Sequence, residues 1–303
     1  MQITTQALDN LFTGYKASFK KGFEGAPSHW QKVAMKVTSS TRQETYAWLG
    51  QFPKMREWLG DRVINRLKTT GMIVINKNFE DTVAVPKNDI EDDVYGTYSP
   101  LMEEMGLTAA ELPDELVFSM LVRGFTTLCY DGQPFFAPEH LVGEGAFARS
   151  VANMHLITED NIDNPAWFLL DTSRAVRPLI FQERRPPNFV SKDDERDDNV
   201  FFRKEYIYGV DSRGDAALGF WQLAWGSKQP LSAASYEEAR VAMQSHVGDE
   251  GRPLGVKPTL LVVGPALESA AKKLIGTVTL ENGESNPWYN SVEVLVTPWA
   301  RAA

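Results

Sequence analysis

Two strand-patterned segments of this chain are joined by a connection that cannot bury itself. "KVAMKVTSSTRQETYAWLG" (32–50) alternates and is rich in Thr and Val, and in "GMIVINKNFEDTVAVP" (71–86) Val83 and Val85 alternate with Thr82 and Ala84. Between them runs "QFPKMREWLGDRVINRLKTTG", polar and aromatic, with Gly50, Gly60 and Gly71 as punctuation. A hairpin with so long a tip covers little of its own surface and needs another surface to lean on. This predicts a subunit that finishes folding against its neighbours.

The ends and flanks agree. Residues 4–23 read as an amphipathic helix, with Leu8, Leu11, Phe12, Tyr15, Phe19 and Phe23 at three- and four-residue spacing. Over residues 1–36, five lysines (16, 20, 21, 32 and 36) face Asp9 and Glu24, a local balance of +3 in a chain whose net charge is −9. The charges fit either a solvated helix face or an arm that lies on an acidic neighbour. The overall acidity argues against bulk nucleic-acid binding. The N-terminus has no basic stretch followed by an apolar run, and no apolar run reaches membrane-spanning length, so a soluble cytoplasmic product is expected.

After the hairpin comes "PKNDIEDD" (86–93). It does not fit a calcium loop: counting from Asp89, the sixth position is Val94 and the twelfth Pro100, where Gly and Glu are needed. A helix start fits better, with Asn88 as N-cap, Glu91 as the N3 residue, and Asp92 and Asp93 in the first turn. Ile90, Val94, Tyr98, Leu101, Met102 and Met105 form one apolar stripe and Leu112, Leu116, Met120 and Leu121 another. Gly96, Pro100 and Gly106 are expected to bend or interrupt the helix, Thr108 with Glu111 to restart it, and Gly124 to end it.

Residues 125–165 carry Gly- and Pro-rich loops. Residues 166–232 are strand-rich, with "AWFLLD", "RPLIFQER", "NVFFRKEYIYGVD" and "AALGFWQLAWG" broken by turns and by "SKDDERDDN", read as a solvated turn. The last stretch reads helix ("SYEEARVAMQSH"), strand ("PTLLVVG"), helix ("PALESAAKKLIG"), strand ("SVEVLVTP"), a crossover that implies parallel neighbours.

Catalytic signatures do not emerge. His29, His140, His155 and His246 are not at zinc-ligand spacing, and Cys129, the one cysteine, has no His nearby in sequence and reads as a small buried apolar residue. "GEGAFA" (143–148) has the shape of a dinucleotide loop, but Pro134 and Pro138 precede it where a buried strand would be needed. No cofactor, no metal and no enzymatic activity are expected.

Several long segments resemble the major head subunit of Mu-like phages and prophages. They are "YAWLGQFPKMREWLGDRVI", "FEDTVAVPKNDIEDDVYGTYSPLMEEMG", "PDELVFSMLVRGFTTLCYDGQPFF", "FLLDTSRAVRPLIFQERRPP", "RKEYIYGVDSRGDAALGFWQLAWGSK" and "KPTLLVVGPALESAAKKLI", in order from about residue 5 to 298. The resemblance implies an α+β chain with the Hong Kong 97-like capsid fold. Laid onto the sequence, it implies an N-terminal arm (1–40), an extended hairpin loop (41–85), a peripheral domain with a spine helix beginning at Asn88 (86–232), and an axial domain (233–303). In the commonest arrangement of that fold the axial domain precedes the last peripheral strands, whereas here the crossover unit comes last.

The implied function is a shell of pentamers and hexamers around double-stranded DNA, built in the bacterial cytoplasm with scaffold, portal and decoration proteins. Contact candidates are Lys16, Lys20 and Lys21 on the arm, Phe52, Trp58, Arg62 and Arg66 on the loop, and Asp92 and Asp93 at the spine start. Lys68, Lys77, Asn76 and Asn78 lie near the loop, but no crosslink is expected from them. An encapsulin-like compartment and a cytosolic enzyme are the alternative readings.

Overall fold

The computed structural model describes residues 4–47, 49, 71–92, 94–143, 148–248, 251–280 and 282–301. In chain order the first half holds helix α1 (Thr5–Gly25), short helix α2 (Trp30–Val33), strands β1 (Ala34–Thr38), β2 (Gln43–Tyr46), β3 (Met72–Ile75) and β4 (Lys77–Pro86), then α3 (Lys87–Glu91) and α4 (Ser99–Arg123). Strands β5 (His140–Val142), β6 (Arg149–Val151), β7 (Trp167–Leu170) and β8 (Leu179–Lys192) follow, then α5 (Asp198–Arg203), β9 (Glu205–Leu218) and β10 (Ala224–Ser227). The chain closes with α6 (Ala233–Gln244), β11 (Leu260–Val263), α7 (Glu268–Gly276) and β12 (Glu293–Val296). Among the described residues, no helix is long and apolar enough to cross a membrane.

Two four-stranded sheets organise these elements. The first has the order β1-β8-β9-β4, with β1 parallel to β8 and the other pairs antiparallel. Its register slips in β8 between Glu183 and Asn188. Pro186 and Pro187 lie in that interval and have no N–H to offer the ladder, so a bulge is the geometry they permit. The second sheet has the order β10-β7-β11-β12. β11 and β12 pair in parallel, as the strand–helix–strand pattern implies. The sheet also takes β7 and β10, which precede residue 233.

The side-chain alternation of a strand explains how the second sheet is covered. Trp167 and Leu169 of β7, with Leu261 and Val263 of β11, pack against Tyr236, Ala239 and Met243 of α6 and against Ala271 and Ile275 of α7. Their neighbours Phe168, Leu170, Leu260 and Val262 point the other way, onto Val117, Phe118 and Leu121 of α4 and onto Phe135 and Phe136. A third core joins Leu8, Leu11, Tyr15 and Phe19 of α1 to Met102 and Met105 of α4 and to Tyr206 and Tyr208 of β9. The two apolar stripes of α4 thus serve two cores, and one helix ties them together. At about 1.5 Å per residue it spans roughly 37 Å.

Several local expectations need correction. The short helix α3 begins at Lys87 with Pro86 before it and no side-chain cap, so Asn88 is not the N-cap. Pro supplies a fixed φ at the entry instead. Asp92 stands at the C-terminal end of this helix, where the dipole does not favour it, and the spine helix itself starts at Ser99, with Pro100 in its first turn. α4 then runs without a restart through Thr108, whose hydroxyl donates back to the Glu104 carbonyl (3.0 Å), and through Pro113 to its C-cap at Gly124.

Gly106 does not interrupt α4, and it lets α1 approach: a Cβ there would fall 2.0 Å from the Phe19 carbonyl oxygen. On the facing helix, a Cβ at Gly22 would fall 1.8 Å from the Glu103 oxygen. "NVFFR", read as part of a strand, is helical as α5. The stretch "GMIVINKNFEDTVAVP" divides into β3 and β4, which pair with different partners.

Candidate assembly surface

The base of the hairpin is built on a buried polar chain. β2 and β3 pair antiparallel, from Gln43 opposite Ile75 to Tyr46 opposite Met72. Gln182, fully buried on β8, accepts from the Tyr46 hydroxyl (2.7 Å) and donates to Asn76 Oδ1 (2.8 Å). Asn76 in turn donates to Ser39 Oγ (2.9 Å) and the Thr41 carbonyl (3.0 Å). The Ser39 hydroxyl donates to Glu44 (2.8 Å), and this bond, with those from the Ser40 amide and Thr41, holds the Glu44 carboxyl below its usual range.

Such a closed set of partners removes the penalty of burying amides and fixes where the hairpin leaves the body. Val74 points inward, while Ile73 (54% exposed) and Ile75 (50%) point out as an apolar strip. Phe52, Trp58, Arg62, Arg66 and Lys68 lie outside the described residues, as do Asp93 and most of the 143–148 loop. Lys77 pairs with Asp215 (2.9 Å) and Asn76 is held in the network, so neither side chain is idle.

The arm is engaged within its own chain. Lys21 pairs with Glu103 on α4 (2.9 Å), Lys20 with Glu24 (3.6 Å), and the Lys16 ammonium stands over the Phe12 ring at 5.7 Å. All three lysines sit on the outward face of α1, and Asp92 is likewise exposed. At the end of the arm, the buried Asp114 carboxylate accepts the backbone N–H groups of His29 (3.0 Å) and Trp30 (2.5 Å). Burial raises its pKa, against the pull of those two bonds.

The acidic loop after β8 is more than a solvated turn. Glu195 accepts from Lys87 (2.6 Å) and from the Tyr206 hydroxyl, and Asp193 is half-buried with its pKa raised by desolvation.

Two of the three buried histidines, His140 and His155, are placed by side-chain hydrogen bonds. His155 accepts from the Trp225 indole through Nδ1 (3.2 Å). His140 stacks on Trp221 (4.0 Å between centroids, 7° between planes), with Nδ1 2.6 Å from Asp131 and Nε2 3.2 Å from Asn153 Oδ1. The Cys129 thiol donates to the same Asp131 (3.0 Å), so the fold does bring a histidine close to this cysteine, eleven residues on. Cys129, Asp131 and His140 offer three ligand atoms within 4.8 Å of one another, the one such group among the described residues.

Their donors are turned toward each other at hydrogen-bonding distance, closer than ligands sharing one ion would sit, and burial drives the thiol far above its ordinary pKa. The arrangement fastens a loop rather than activating a nucleophile. Sequence reasoning missed it because the contact is made by the path of the loop, not by motif spacing.

An arm packed along the body, a hairpin fixed at its base and a spine helix joining two sheets fit a shell-forming subunit. Comparison with known proteins gives the family. The model of the Mu-like prophage major head subunit gpT matches residues 8–300. The chain is 41% identical over 307 residues to the major capsid protein of Escherichia phage Mu, covering 99% of this chain and 100% of that one. It is 43% identical over 279 residues to the Mu-like prophage FluMu major head subunit of Haemophilus influenzae, covering 90% of each. Among solved structures it is similar to the subunit in the procapsid of bacteriophage JBD30, with a TM-score of 0.87 and 46% identity over 98% of this chain and 100% of that one. The chain belongs to the Mu-like major head subunit family, and its fold is the Hong Kong 97-like capsid fold.

Proposed function

We propose that copies of this chain assemble as pentamers and hexamers into the icosahedral head of a Mu-like tailed phage, around double-stranded DNA that they enclose without reading its sequence. The observation that carries this is the full-length likeness to a procapsid subunit in both sequence and fold. Assembly proceeds in the bacterial cytoplasm with scaffold and portal proteins, and decoration proteins bind the outside. The protein is structural and has no catalytic role.

The sheet β1-β8-β9-β4 with α1 and the first half of α4 serves as the peripheral body. The sheet β10-β7-β11-β12 with α6 and α7 serves as the part that meets its copies at the capsomer centre. The hairpin, with Phe52, Trp58, Arg62 and Arg66 on its tip, lies over an adjacent copy. Lys16, Lys20 and Lys21 of the arm meet acidic groups of neighbours, Asp92 and Asp93 among the candidates, which requires Lys20 and Lys21 to exchange the partners they hold within the chain.

Two variants in one assembly assay test this reading. Deletion of 51–70, which spares β3, should leave a soluble subunit that builds no closed shell, and K20E/K21E should give fewer particles with an altered salt response. Normal shells from the deletion would refute the hairpin role, and normal salt-resistant particles from the charge reversal would refute the arm role.

A further inference from the structure

His155 lies where β7, β10 and α6 meet, and its two ring nitrogens have different neighbours. The segment that carries it runs beside β10: Met154 bridges to Gly226, and the His155 N–H donates to the Gly226 carbonyl (3.3 Å). The ring packs against Trp167 of β7 and edge-on to Trp225 of β10, at 5.8 and 5.1 Å between centroids. On the inner side, Nδ1 accepts from the Trp225 indole N–H (3.2 Å) and from the Ser227 hydroxyl (2.8 Å), whose oxygen accepts from the Gln229 amide (3.0 Å). On the outer side, Nε2 stands 3.4 Å from the Glu238 carboxylate of α6. The His155 side chain is 2% exposed and that of Glu238 69%. The imidazole thus bridges the interior of the second sheet and the surface of the helix that covers it.

These neighbours fix where the protons go. An indole N–H only donates, so Nδ1 keeps its lone pair and the single ring proton sits on Nε2, facing Glu238. A second proton has one place left, Nδ1, and there it meets the Trp225 N–H donor to donor. Among the described residues Glu238 is the one ionisable group that acts on the ring, and it favours the charged form; Trp167, Trp225 and Ser227 carry no charge. Burial outweighs Glu238 and holds the imidazole below its ordinary range.

We infer that His155 is a two-position switch: neutral, its ring is held inward by Trp225; protonated, it leaves Trp225 and pairs outward with the Glu238 carboxylate on α6. Acid therefore moves a side-chain tie from β10 to the helix above it, while the backbone bond to Gly226 keeps the segment in place. The switch belongs to the single chain and does not rest on the capsid reading.

The test follows the full-length, unassembled chain by NMR from about pH 8 to about pH 4, with labelled histidine rings and tryptophan indoles. The His155 ring is assigned as the resonance missing from H155Q, and the Trp225 indole by its cross-relaxation with that ring. His246 stands against Trp221, so its titration is read at a different indole. The Trp225 indole should shift in step with the His155 titration and lose its protection from solvent exchange. E238Q removes the outward carboxylate and should move the His155 midpoint to lower pH. W225F removes the inward donor and should move it to higher pH.

A Trp225 indole that does not follow His155, or a His155 ring that stays neutral until the chain unfolds, would overturn the inference. So would an E238Q midpoint that is unchanged or raised. Glu238 is exposed, so E238Q remains decisive even if W225F, a change in the core, does not fold.

Discussion

His246 lies buried edge-on to Trp221 at 5.7 Å, and its Nε2 has no hydrogen-bond partner among the described residues. Burial, with positive charge from His140 and Arg149, lowers its pKa to about 4, so the folded chain holds it neutral. The unfolded chain, with an ordinary imidazole, binds more protons between about pH 6.5 and 4. Its contribution to stability is complete above about pH 6.5 and is lost as pH falls toward 4, by up to about 3 kcal/mol. Denaturant titrations across that range should show a shallower acid slope for H246F than for wild type. Equal slopes would mean that His246 is not the titrating group.

At this scale the sequence was legible for single side chains and not for their company. The histidines showed no zinc-ligand spacing and read as surface or core residues; three of the four are buried, His246 with its Nε2 unpartnered among the described residues. The junction of Cys129, Asp131 and His140 depends on a loop closing through Gly132, whose φ is +84°, and spacing alone does not reveal that closure.

The approach of α1 to α4 depends on two glycines, and an element-scale substitution tests it. G106A places a methyl against the backbone of α1, so the helices must separate at a cost of about 1–3 kcal/mol or more. Gly14 is the control: it is exposed on α1 with nothing near its would-be Cβ, so G14A should be neutral or stabilising by about 0.5–1 kcal/mol. Thermal or denaturant unfolding of both variants decides it. Equal stabilities would remove the close helix contact from the account.

The apolar period located α1 within two residues at each end and gave the second stripe of α4, while of the first stripe only Leu101, Met102 and Met105 belong to that helix. It misplaced the start of the spine helix, because "PKNDIEDD" holds a separate five-residue helix that has no side-chain cap. It also misread "NVFFR" as strand, since two adjacent aromatics have no period; the backbone bonds from Phe201 to Asp197 and from Lys204 to Val200 make it a helix. The hairpin network was out of reach for another reason: Gln182 is 136 residues from Tyr46 and 106 from Asn76.

At the scale of the whole molecule, helix α4 ties the core beneath α1 to the core of the second sheet, so the two sheets are not separate bodies. The arrangement of strands across the two sheets was less legible, because β7 and β10 reach the second sheet from earlier in the chain and nothing in their local pattern names their partner.

The most direct measurement is electron microscopy of the purified protein at high concentration. Closed shells with five- and six-fold capsomers are the predicted result. Monodisperse monomers, with no particles at any concentration, would contradict the account.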